Sequence, residues 1–211
     1  MTTLGVCEWV EPAAALRGDV FAIRHGETDW SLAGRHTGLT DIPLTENGRR
    51  NARCLGEALS KTEFTSVFSS PLQRARVTCE LAGFGARMEI DSDLVEWNYG
   101  EYEGLTPEEI EDRNPGWLIF ADGCPGGEDP DQVRARVDRL IARIRRIPGN
   151  VALFAHGHLL RALAARWIGL SLSHGSHFLL HTSTLSILGY HRGIPALKRW
   201  NARIVEERRT S

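Results

Sequence analysis

Three short apolar runs in this chain break off in the same manner, and a helical pattern follows each break. "DVFAIRHG" stops at Arg24-His25, "SVFSSPLQRAR" at Ser69-Ser70, and "NVALFAHGH" at His156. Near-continuous apolar runs of this length fit strands buried on both faces, which is the habit of parallel strands in α/β proteins. Parallel neighbours need long crossover connections, usually helices. The pattern predicts strands over 19–24, 66–69, 151–155 and 185–190, with weaker ones over 88–90 and 196–200. Helices are predicted over 45–60, 71–82, 129–147 and 157–168. Thr45 is the N-cap candidate of the first, and Pro71 stands at a first-turn position of the second. Strand-helix alternation of this kind argues for an α/β sheet flanked by helices. A chain of 211 residues suits one domain, here 19–211 after a loose extension over 1–18. The stretch 113–128, rich in Gly and Pro, reads as an irregular loop with a short helical piece over 117–121, suited to a lid or a substrate wall.

Composition narrows the partners. The formal net charge is −2, which gives no bulk electrostatic case for nucleic acid or an anionic membrane. No apolar stretch reaches the length of a membrane span, and the N-terminal stretch lacks the pattern of a signal peptide. Positive charge is carried almost wholly by arginine, the only lysines being Lys61 and Lys198. Cys7, Cys54, Cys79 and Cys124 are scattered, without a CxxC pair, as expected of free thiols in a reducing cytoplasm.

In open α/β sheets ligands bind at the carboxyl ends of the strands. If the three interrupted strands are neighbours, Arg24, His25, Arg74 and His156 meet in one crevice. Guanidinium forks match phosphate oxygens, and a neutral imidazole can act as nucleophile or as acid-base. Helix N-termini at Pro71 and Gly157 would add N–H groups that favour an anion. These residues therefore predict a phosphate site with a candidate nucleophilic histidine. Zinc is the rival for His156 and His158, but spacing of i, i+2 at a strand-helix junction chelates poorly and no H-E-x-x-H is present. His174, His177 and His181 read as loop surface. Neither a P-loop nor a G-x-G-x-x-G follows a strand.

Five blocks carry a further signal: "RHGET" with "WSLAGRHTGLTDIPLTENGRRNA", "FSSPLQRARVT", "LVEWNYGEYEGLT" and "FAHGHLLRAL". Together, and in this order, they resemble the histidine phosphatase superfamily, which includes the cofactor-dependent phosphoglycerate mutases. The resemblance implies a three-layer α/β/α sandwich with a mostly parallel central sheet and a phosphohistidine mechanism without metal or cofactor. It implies His25 as nucleophile, with Arg24, Arg74 and His156 holding the phosphoryl group and Glu96 as proton donor. On the substrate side it implies Ser31, Thr37, Gly38, Tyr99 and Gly157 beside these.

Two departures separate the chain from the mutases, which usually carry Asn where Ser31 and His158 stand. They also have a longer segment between the donor glutamate and the second histidine, whereas Glu96 and His156 are only sixty positions apart. A shorter cover should admit water to the phosphohistidine. The expectation is a metal-independent phosphatase of small phosphorylated metabolites, sugar phosphates or bisphosphates, with phosphoglycerate mutase as the alternative. The strand "TSTLSILGY" is expected to lie at an edge or to pair across a homo-oligomer.

Overall fold

A computed structural model describes residues 17–204. Six strands form one sheet: β1 (Arg17–Arg24), β2 (Ser66–Ser69), β3 (Met88–Ile90), β4 (Gly149–Ala155), β5 (Thr184–His191) and β6 (Ile194–Arg203). Their order is β3-β2-β4-β1-β5-β6. The first four are mutually parallel, and β5 and β6 close one side antiparallel. The helices are α1 (Asp29–Leu32), α2 (Glu46–Leu59), α3 (Gln73–Leu81), α4 (Pro107–Arg113), α5 (Ile119–Asp122), α6 (Pro130–Ile144) and α7 (Gly157–Trp167). Among the described residues no helix is long and apolar enough to cross a membrane.

The apolar runs explain the layering. Successive strand side chains point to opposite faces. Val20, Ala22, Val151, Leu153 and Ala155 therefore join one core with α6 and α7. Ile23, Val67, Ala152 and Phe154 join a second core with Leu55 and Leu59 of α2 and Cys79 of α3. A strand with a core on both sides has no solvent face and so shows no polar alternation. The result is the three-layer α/β/α sandwich with a mostly parallel sheet.

The structure corrects several expected bounds. β1 begins at Arg17, inside the extension expected over 1–18, whose remaining residues lie outside those described. Helix α3 starts at Gln73 with Leu72 as N-cap, so Pro71 precedes the helix instead of opening it. Ser70 Oγ accepts from Leu72 N in that turn. The stretch "TPEEIEDR" forms α4, which the sequence reading passed over although Thr106 and Glu109 make a capping box there. β5 is internal, paired to β1 on one side and β6 on the other, so the edge falls to β6.

Candidate active site

The carboxyl ends of β1, β2 and β4 are locked in register where the strands stop. His25 N donates to Ala155 O, and Ser70 N to Phe154 O, each at 3.0 Å. β4 threads between β2 and β1, so the side chains that end these strands share one crevice. His25 is 3% exposed, and its ring centroid lies 5.2 Å from that of His156.

The backbone selects the tautomer of His25. Its Nδ1 stands 2.7 Å from Gly26 O. A carbonyl only accepts, so Nδ1 carries the proton and Nε2 presents a lone pair. Burial, then the Arg74 and Arg24 charges, hold the imidazole well below its ordinary pKa and so neutral. Gly26 is required for close approach: a Cβ would sit 2.7 Å from Gly48 O. Its N–H donates to Thr78 Oγ1, which in turn donates to Arg74 O.

Arg74 is fully buried and largely committed to the protein. Its Nη atoms donate to the carbonyls of Thr37, Gly38 and Thr40. Its Nε donates to His156 Nδ1 at 3.1 Å. His156 is neutral, its pKa driven well down by burial and by Arg74. Nδ1 being an acceptor, the ring proton sits on Nε2 and points to Ser70 Oγ at 2.7 Å. Arg24 donates to Leu180 O, while its Nε is buried with no protein partner. A Cβ on Gly157 would stand 3.2 Å from Arg24 Cζ, so α7 opens with its backbone against that guanidinium.

Glu96 is 4% exposed and seated on the first turn of α7. Oε1 accepts from Trp97 N and Leu159 N, and Oε2 accepts from His158 N at 3.0 Å. Oε1 thus uses both acceptor positions on protein N–H groups. Oε2 keeps one, which fixes the oxygen that can hold or release a proton.

A cavity of about 310 Å³ opens above these groups. Of the predicted residues, Arg24, His25, Ser31, Thr37, Glu96, Tyr99 and Gly157 line it. Arg74, His156 and Gly38 are not on its wall. Gly38 packs tightly, a Cβ there meeting Trp97 O at 2.7 Å. Ser31 shares a capping box with Thr28 at the start of α1. Seven other wall residues were not predicted for the site, and three of them, His36, His158 and Arg161, carry specific contacts there. His36, inside the quoted "GRHTGLT", stacks parallel to His158 at 5.9 Å. His158, weighed only as a metal ligand, shares a 2.6 Å hydrogen bond with the Tyr99 hydroxyl. Arg161 lies one turn further along α7 and spans the Phe120 ring at 4.9 Å. The i, i+3 spacing from His158 was the available signal. No group of three or more His, Cys, Asp or Glu among the described residues is arranged to hold a metal ion.

Comparison with known proteins gives the family. The model of the histidine phosphatase superfamily (branch 1) matches residues 20–203. An acid phosphatase of Mycobacterium tuberculosis is 41% identical over 179 residues, covering 83% of this chain and 88% of the relative. The sedoheptulose 1,7-bisphosphatase of Saccharomyces cerevisiae is 39% identical over 182 residues, covering 71% and 67%. A solved open-reading-frame product of M. tuberculosis superposes with a TM-score of 0.86 at 36% identity, covering 89% of this chain and 99% of the other. An α/β/α sandwich whose strand ends gather a buried neutral histidine, arginines and a glutamate, matched over residues 20–203 by the family model and over most of its length by phosphatases, belongs to the histidine phosphatase superfamily and is a phosphoric monoester hydrolase.

Proposed function

We propose that the protein hydrolyses small phosphomonoesters, sugar phosphates or bisphosphates, through a phosphohistidine on His25, without metal. The observation that carries the reading is the Nδ1–H of His25 committed to Gly26 O, with Nε2 unprotonated beside Arg24.

In the first half-reaction the Nε2 lone pair attacks phosphorus in line with the ester bond. The leaving oxygen takes its proton from Glu96 Oε2. Charge on the equatorial oxygens is stabilised by Arg24, whose free Nε–H is the available donor. Arg74 acts chiefly as a fixed positive charge and as the tie that holds His156 and the 37–40 backbone. In the second half-reaction Glu96, now a carboxylate, takes a proton from water. The hydroxide oxygen attacks phosphorus and the P–N bond breaks, restoring His25. The acid phosphatase and sedoheptulose bisphosphatase relatives support the substrate class.

Phosphate release in EDTA from fructose 1,6-bisphosphate, sedoheptulose 1,7-bisphosphate, 3-phosphoglycerate and p-nitrophenyl phosphate tests this. Loss of release in His25→Ala, together with a trapped phosphoenzyme that is acid-labile and alkali-stable, is expected. Release that survives His25→Ala refutes the mechanism. Conversion of 3-phosphoglycerate to 2-phosphoglycerate in place of release would make the protein a mutase.

A further inference from the structure

Beside the catalytic cavity, and sharing Arg24 and Ser31 with it, lies a larger groove of about 630 Å³. Asn47, Arg50 and Asn51 of α2 form one wall, and Thr182, Ser183 and Arg203 contribute to the rest. Two observations mark it as a ligand site.

The first is unsatisfied polarity. Among the described residues three buried side-chain polar atoms lack a partner: Arg24 Nε, Arg76 Nε and Ser183 Oγ. Ser183 belongs to this groove, whereas Arg24 Nε, on the boundary of the two cavities, is the donor assigned to the transferring phosphoryl group. Ser183 is 8% exposed and holds φ at +57°, a left-handed conformation that costs a non-glycine residue about 1 kcal/mol or more. Its N–H donates to His25 O at 3.0 Å, which ties its position to the nucleophile's own main chain. A buried hydroxyl without a partner, held on a strained residue beside the nucleophile, points to a missing hydrogen-bond partner.

The second is charge. Arg24, Arg50 and Arg203 face a single carboxylate, Glu27. Both oxygens of Glu27 already accept, from Thr45 Oγ1 and from Asn47 Nδ2. Arg50 and Arg203 are exposed and form no ion pair with any described carboxylate. The groove on the other flank of the catalytic cavity is different in kind. It is walled largely by Ile110, Trp117, Leu118, Ile119 and Phe120, and its one arginine, Arg161, already donates to the carbonyls of Gly175 and Ser176 and lies over the Phe120 ring.

We propose that the Arg50–Arg203 groove is a second anion subsite. It takes the distal phosphate of a bisphosphorylated substrate while the other phosphate lies at His25. Ser183 Oγ–H donates at its inner end, and Arg50 and Arg203 pair with the phosphate at its rim. The inference rests on the phosphatase reading and adds to it where the second anion sits.

The readout is a selectivity ratio: kcat/KM for fructose 1,6-bisphosphate over that for each of its two monophosphates. Arg50→Gln with Arg203→Gln is expected to lower the ratio by about tenfold or more, chiefly through KM for the bisphosphate. Ser183→Ala should lower it as well, with the thermal midpoint followed to separate folding from binding. Arg53→Gln, on the same helix but outside the groove, should keep it. A ratio unaltered in the double variant overturns the subsite, as does a wild-type ratio near one. Equilibrium binding to the His25→Ala protein decides the matter apart from turnover. Bisphosphate bound more tightly than either monophosphate, with the difference lost in the double variant, supports the subsite. Equal affinity refutes it. Wild-type protein that releases no phosphate from any ester, yet shows that binding difference, would sink the phosphatase reading and leave the subsite standing.

Discussion

The hydrogen bond from His25 Nδ1 to Gly26 O decides which ring nitrogen faces phosphorus, and burial beside two arginines decides that it is unprotonated. The direction of that shift makes a kinetic prediction. An ordinary histidine loses its lone pair below about pH 6.5. His25 keeps its own lower, so the acid limb of kcat/KM should fall well under that value in a pH-rate profile. A limb at the ordinary value would mean the ring is not held neutral by its surroundings. Glu96 makes a second prediction, because only Oε2 has an open acceptor position. Glu96→Gln cannot deliver a proton, and general acid catalysis is worth roughly 10²–10⁴-fold. The loss should approach that range with sugar phosphates, whose alkoxide leaves badly, and be much smaller with p-nitrophenyl phosphate. Equal losses on both would remove Glu96 as the donor. The residues at the strand ends were legible because a polar group that stops a buried strand is conspicuous. His36 and His158 were not, since their roles arise from a stack and a phenol contact between segments far apart in sequence.

The segment that carries Glu96 has no regular structure longer than a single turn of 3₁₀ helix, yet it is clamped as firmly as a strand. Arg136 of α6 donates through Nη1 to Asp93 O and Val95 O and pairs with Glu128 at 2.8 Å. Glu128 in turn accepts from Asn98 N through its carboxylate and from Trp97 Nε1 through its carbonyl. Arg136 is 7% exposed. Removing it as Arg136→Ala takes the donor from two carbonyls and leaves the Glu128 carboxylate with only Asn98 N–H, and breaking a largely buried pair costs about 3–5 kcal/mol. Thermal unfolding should fall by roughly 6–20 °C for a domain of this size. The milder Arg136→Lys should fold and show the positioning role in kinetics, with sugar phosphates losing more than p-nitrophenyl phosphate, as for Glu96→Gln. A uniform loss across both would reduce the clamp to a structural part. None of this was readable from periodicity. The elements that carry a repeat were: α2 starts at its expected cap, Thr45, and α6 one residue inside its expected start, with Asp129 as the N-cap. The clamp depends on which loop lies over which helix, and β6 runs well past its expected five residues because its pairing with β5 sets its length, not its own pattern.

At the scale of the molecule, the sheet order that gathers the strand ends also withdraws three imidazoles, wholly or in part, from water. His25 and His156 are 3% and 0% exposed and His158 is partly buried, and loss of water leads the causes that drive each well below its ordinary pKa. The arrangement carries a stability cost that depends on pH. In the unfolded chain these rings take protons below about pH 6.5, while in the folded protein they stay neutral. The unfolded state therefore binds more protons, so stability falls as pH drops below 6.5 and is recovered fully above it. Each ring contributes a slope of about 1.4 kcal/mol per pH unit in that window. Three rings together make a few kcal/mol between pH 6.5 and 5.5, a large part of the total for a domain of ordinary stability. Thermal midpoints measured from pH 7.5 to 5 should be level above 6.5 and decline steeply below it. Changing His158 to Gln removes one titrating ring without touching the nucleophile, and the decline should become shallower by about one proton. A slope unaltered in His158→Gln would remove only that ring from the set, whereas a midpoint that stays level to pH 5 would mean that the imidazoles already accept protons in the folded state. In that case the neutral nucleophile on which the phosphohistidine mechanism rests would have to be abandoned as well.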